Sequence, residues 1–94
     1  MADRGTRKIL TNQNALSTTA ERVDSAAASP TRRSILIQNL DAAITVYWGA
    51  ADTVTSATGG RLIAGSSVRL YTQAAVYMIA ASGTPTVAIT EEYD

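Results

Sequence analysis

Cysteine, histidine and phenylalanine are all absent from this chain, and each absence removes a class of explanation. Without cysteine there is no disulfide framework and no thiol nucleophile; without histidine there is no imidazole base, and the usual transition-metal ligands are missing. The carboxylates do not make up the loss. Asp41 and Asp52 fall in expected turns and are too isolated to form a calcium site, while Glu91, Glu92 and Asp94 form an acidic tip at the end of the sequence. Gly59-Gly60 and Gly65 lack the spacing of a phosphate-binding loop. The inventory therefore points to a protein that is not an enzyme and takes no cofactor and no metal.

Charge is equally scarce. Eight basic and eight acidic residues cancel to a net charge of zero, and only 17% of the chain is charged. That is a poor footprint for nucleic acid. It suits a surface that associates, because little repulsion opposes contact. No apolar run approaches the length of a membrane span, and the basic start of the sequence is not followed by the apolar stretch of a signal peptide.

The 94 residues make one domain. Its core must use Ile, Leu and Val with a few Tyr and one Trp, which is thin for the length, and thin cores gain from self-association. The centre of the chain is the stretch 32–50. Ser34–Asn39 and Ile44–Trp48 are dense in β-branched and aliphatic residues and are expected to form a hairpin about Asp41, Ala42 and Ala43. Ile44, Val46 and Trp48 share one face of the second strand. The first strand is apolar on both faces, with Ile35 and Ile37 on one side and Leu36 and Leu40 on the other, so it belongs at the centre of a sheet. Arg32 and Arg33 read as solvated flanks.

Residues 1–17 read as an arm outside the sheet, because Thr11-Asn12-Gln13-Asn14 carries no period of two or of 3.6. Either the arm is a loose tail, or it is an anchor on a partner through Arg4, Arg7, Lys8, Ile9, Leu10 and Leu16. Residues 18–94 form the folded domain. Thr18–Ala28 is expected to give an edge strand ending before Pro30; Arg61–Ala64 and Ser67–Thr72 flank a Gly65-Ser66 turn; Ala75–Ala81 and Thr86–Thr90 follow, separated by Ser82-Gly83-Thr84-Pro85. Short strands about ten residues apart with glycine turns predict an all-β antiparallel sandwich. Tyr47, Trp48, Tyr71 and Tyr77 are either core, in a chain without Phe, or flat faces for a sugar.

Four runs carry a resemblance: Arg-Arg-Ser-Ile-Leu-Ile-Gln-Asn-Leu at 32–40, Val-Tyr-Trp-Gly at 46–49, Gly-Gly-Arg-Leu-Ile-Ala-Gly-Ser-Ser-Val at 59–68, and Ala-Val-Tyr-Met-Ile-Ala-Ala-Ser-Gly at 75–83. Together they resemble small structural proteins of tailed bacteriophages, in particular head decoration (cement) proteins and β-sandwich modules of other virion and tail components. The likeness runs from Arg32 to about Glu92. It implies a jelly-roll-like sandwich, often a trimer, on the outer capsid surface where major capsid protein subunits meet. The alternative it leaves open is a tail or fibre module that binds host-surface glycan.

Overall fold

The structure is a computed structural model that describes residues 8–25 and 32–93. It is all β among those residues: β1 (Lys8–Ala15), β2 (Glu21–Arg22), β3 (Arg32–Asn39), β4 (Val46–Gly49), β5 (Gly60–Leu62), β6 (Ser67–Leu70), β7 (Tyr77–Ala80) and β8 (Thr86–Tyr93). They form two four-stranded antiparallel sheets, one in the order β1-β8-β3-β6 and the other β2-β7-β4-β5. Strands pair first with last, second with seventh, third with sixth and fourth with fifth, as if one long hairpin had been rolled up. This is the strand order of a jelly roll.

The expected hairpin between the third and fourth strands is therefore not one. β3 lies between β8 and β6 in the first sheet, whereas β4 pairs with β5 and β7 in the second. The connection at 40–45 is an arch between layers. Asp41 shapes it by accepting the backbone N–H groups of Ala43 and Ile44 at 2.8 and 2.7 Å, a local carboxylate turn that sequence composition reads equally well as a hairpin end. The Gly65-Ser66 turn is likewise an arch between β5 and β6, with Gly65 at a φ of +78° that favours glycine.

The core sits between the sheets. Ile35 and Ile37 of β3, Val87 and Ile89 of β8, Val46 of β4 and Met78 of β7 are essentially inaccessible to solvent. Each such side chain contributes about 1.5–3 kcal/mol by burial. The prediction of a central β3 holds, and β2 is an edge strand as expected, although shorter; residues 26–31 lie outside the described residues. Tight packing also fixes Gly60, opposite Trp48 in the β4–β5 pair, where any side chain would run into the indole.

The arm is the main correction. From Lys8 onward the segment is the edge strand of the first sheet, paired with the whole length of β8. Leu16, just beyond it, is 1% exposed and belongs to the core. The strand was illegible because neither of its faces is fully covered. Asn12 is exposed although it shares a face with the buried Ile89, its partner across the ladder, and with little burial on that face the alternation of apolar and polar residues vanishes.

Backbone bonds sort the connections into two poles. Backbone N–H groups of Leu16, Leu40, Gly65, Asn39, Ala80 and Ala81 donate to the carbonyls of Pro85, Thr86, Asn39, Ser66, Ser17 and Thr45 respectively, and gather the 16–20, 40–45, 63–66 and 81–85 connections at one end. The 50–59 and 71–76 connections and both ends of the sandwich, Lys8 beside Tyr93, lie at the other.

Candidate functional site

At the second pole the fold builds a cleft of about 300 Å³ between the end of β4 and the β6–β7 loop. Trp48, Leu70 and Val76 line its deeper part, and Gly49, Ala50, Tyr71, Thr72, Ala74 and Ala75 line its rim. The lining is mostly apolar. Trp48 is partly buried against the core, whereas Tyr71 is 81% exposed. Of the two readings of the aromatics, core fails for Tyr71, and Tyr47 and Tyr77 are only half-buried.

The loop that forms the rim is held from beneath by a buried ionic cluster. Arg32, 2% exposed, donates through Nε to the Thr72 carbonyl at 3.0 Å and through Nη2 to the Ala74 carbonyl; its Nη1 reaches Asp24 at 3.2 Å and Glu91 at 2.9 Å. Asp24 in turn accepts the Val76 backbone N–H at 3.1 Å and the Arg22 Nε at 2.7 Å. Glu91 accepts the backbone N–H of Ser25 and the hydroxyl of Tyr93. Two cations thus meet two carboxylates, and the cluster is neutral as a whole. Among the described residues no buried side-chain nitrogen or oxygen lacks a partner, the condition under which buried charge is tolerated.

Burial pushes the Asp24 carboxyl up, but the hydrogen bonds from Arg22, Val76 and Arg32 outweigh it and hold the group below its ordinary value. Burial, followed by the adjacent Glu91, raises the Tyr93 phenol. The β6–β7 loop is held at Thr72, Ala74 and Val76 by these hydrogen bonds, and the cleft rim is preorganised.

Arg32 is thus no solvated flank. The ladder between β3 and β8 shifts register between Arg32 and Ser34, placing Arg32 opposite Tyr93 and Ser34 opposite Glu92. That bulge turns Arg32 inward and leaves Arg33 exposed. Glu91 is not part of an exposed tip either. It lies on the inward face of β8 with Val87, Ile89 and Tyr93, and this two-residue period was a signal in the sequence that could have revealed it. Among the described residues of that tip it is Glu92 that faces outward, where the Ser34 hydroxyl and then Arg69 keep its carboxyl below the ordinary range.

The residues expected to anchor a partner are not one surface. Arg4 and Arg7 lie outside the described residues. Lys8 opens β1 with its ammonium 5.2 Å from the centre of the Tyr93 ring. Ile9 is 59% exposed, Leu10 is half-buried, and Leu16 is withdrawn by the core. Ile9 and Lys8 remain available at the edge of the first sheet; Leu16 does not.

No protein-family model matches the chain, and no characterised protein matches it in sequence. Among the solved structures that share the fold are the following two. One is the stem and receptor-binding domain of the spike protein P1 from bacteriophage PM2, at 14% identity and a TM-score of 0.63 over 88% of this chain and 32% of that one, so the present chain spans about a third of the spike chain's length. The other comes from the Bacillus endospore appendages, described as a novel family of disulfide-linked pili, at 14% identity and a TM-score of 0.52 over 99% of this chain and 94% of that one. At these identities the likeness is one of fold: a small antiparallel sandwich, shared with a module of a phage spike.

Proposed function

We propose that this chain is a structural protein of a bacteriophage particle, seated on the outer surface of the head as a decoration (cement) protein. The observation that carries the reading is the eight-stranded jelly roll. It supports the virion setting because the four sequence runs that resemble phage structural proteins fall on its β3, β4, β5–β6 and β7 segments. The partner would be the major capsid protein, without nucleic acid, membrane or catalysis. The mechanism is mechanical: burying surface across joints between capsid subunits adds binding free energy to the closed shell, and engagement of several copies multiplies modest affinities.

The test is a gel and an electron micrograph of purified particles. A decoration protein is present in hundreds of copies (order of magnitude, set by shell symmetry), binds bare capsids when added back, and makes them more resistant to heat. A scarce component confined to the tail overturns the head reading.

One observation favours a second reading, a tail or fibre adhesion module. The preorganised cleft presents Trp48 and the exposed Tyr71, and aromatic faces stack on sugar rings. In that case Tyr71→Ala abolishes binding to host cells while leaving the fold and the particle intact, whereas a decoration protein loses nothing on cells.

A further inference from the structure

We propose that the outer edge of β1 is the surface on which two copies of this chain join, β1 pairing antiparallel with β1 of the second copy to make one continuous sheet. The four edges of the sandwich are unequal: β2, β5 and β6 have two, three and four residues, whereas β1 has eight. Proteins normally blunt a long edge with proline, a bulge or charge, because unpaired N–H and C=O groups template further pairing. β1 has none of these beyond Lys8 at its start. Its register against β8 is unbroken, and Ile9 to Ala15 is uncharged.

Which groups are free follows from the ladder. The Leu16 N–H donates to the Pro85 carbonyl, and the Leu40 N–H donates to the Thr86 carbonyl from the opposite side of β8. Residues of an antiparallel strand bond alternately to one neighbour and the other. Leu10, Asn12 and Asn14 therefore bond to β8, while Ile9, Thr11, Gln13 and Ala15 direct both backbone groups outward. That set is symmetric about Asn12.

A two-fold axis normal to the sheet through Asn12 places Ile9 opposite Ala15 of the second copy and Thr11 opposite its Gln13. Every outward N–H and C=O of the four residues is then satisfied in both copies; sliding by two residues in either direction leaves some of them without a partner among Ile9, Thr11, Gln13 and Ala15 of the second copy. The same axis brings the two Asn12 amides together. Asn12 already accepts from Asn14 Nδ2 at 2.6 Å, and its own Nδ2 remains a donor toward the second copy. Lys8 falls beyond the paired span, so no like charges meet, and the zero net charge adds no long-range repulsion. This palindromic, uncharged edge is why the occupant is a second copy rather than an unrelated strand.

Sedimentation of the full chain over a concentration series is the first measurement, with a two-copy species expected; a chain still monomeric at about 0.5 mM overturns the proposal, as does a three-copy species. Thr11→Pro removes an outward N–H without removing a bond to β8 and should weaken the pairing at least about tenfold with the monomer still folded. Should that variant not fold, charge provides the check. Thr11→Lys with Gln13→Lys sets lysine against lysine across the axis and should dissociate the pair, whereas Thr11→Lys with Gln13→Glu sets opposite charges together and should restore it. Since the chain has no cysteine, Asn12→Cys should cross-link two copies on mild oxidation and Asn14→Cys should not. Equal cross-linking at both positions, or a two-copy species indifferent to the charge pairs, overturns the proposal.

Discussion

The two ends of β3 solve the same problem with different chemistry. At its start Arg32 gathers the β6–β7 loop, Asp24 and Glu91 through charge. At its end Asn39, equally buried, gathers the opposite connections through a neutral amide: its Nδ2 donates to the carbonyls of Ile44 at 2.9 Å and Leu62 at 3.1 Å, and its Oδ1 accepts the Asp41 N–H at 3.0 Å. Both hubs tie elements distant in sequence to one strand. The difference is in what remains when the hub is removed: ionised carboxylates at one pole, unpaired carbonyls at the other. A charged hub is therefore costly to break and sensitive to pH, whereas an amide hub is cheaper to break and indifferent to it.

Arg32→Ala should give the largest effect, because Asp24 and Glu91 would stay buried without their shared cation; a loss of about 3–5 kcal/mol, read by denaturant or thermal unfolding, is a large share of a stability of about 5–15 kcal/mol. Arg32→Lys should rescue only part, since an ammonium cannot reach Thr72, Ala74 and both carboxylates as the guanidinium fork does. Next comes Asn39→Ala, expected to cost about 1–3 kcal/mol through the orphaned carbonyls of Ile44 and Leu62; a cost equal to that of Arg32→Ala would erase the distinction between the poles.

Acid sharpens the contrast further. The folded-state pKa of Asp24 is depressed below 3.8, so its contribution is complete above that ordinary value and is lost as pH falls through the lower, folded one. Melting temperature should drop below about pH 4. Asp24→Asn should begin less stable and flatten the acid limb, while Asn39→Ala should lower the curve without changing its shape. Smallest of all should be Asp41→Ala in the exposed arch: the amides of Ala43 and Ile44 hold that carboxyl below its ordinary value, but they can turn to water, and a modest fall in melting temperature is expected.

The sequence made the sandwich, its central strand and its inward Ile35, Ile37 and Val46 legible, because a strand flanked within its sheet and packed on the opposite one is dense in apolar residues. It misled where an element lies at an edge or where pairing departs from regularity. β1 carries too little burial to show a period, and its polar residues read as a tail. A single bulge at Arg33 reverses the side to which Arg32 points, and strand periodicity carries no sign of a bulge. Hairpins and arches share the same turn residues, so Asp41 and Gly65 announced reversals without telling which sheet the chain would enter. Of the cleft, Trp48 and Tyr71 were visible as aromatics, but their proximity depends on the β6–β7 loop, whose position is set by Asp24, a residue 52 positions in sequence from the Val76 amide it accepts.

Lys8 and Tyr93 stand side by side across the β1–β8 ladder, and that adjacency gives the molecule a direction. Polypeptide joined to either end of the sandwich departs from the pole of the cleft and the charged hub. Among the described residues the opposite pole is made of internal connections, including Ser82–Thr84, exposed and turning on Gly83 at a φ of +62°. A fusion joined directly at Lys8 or Tyr93 and an insertion at that turn would therefore place their cargo on opposite ends of the same sandwich, one crowding the cleft and the other leaving it clear.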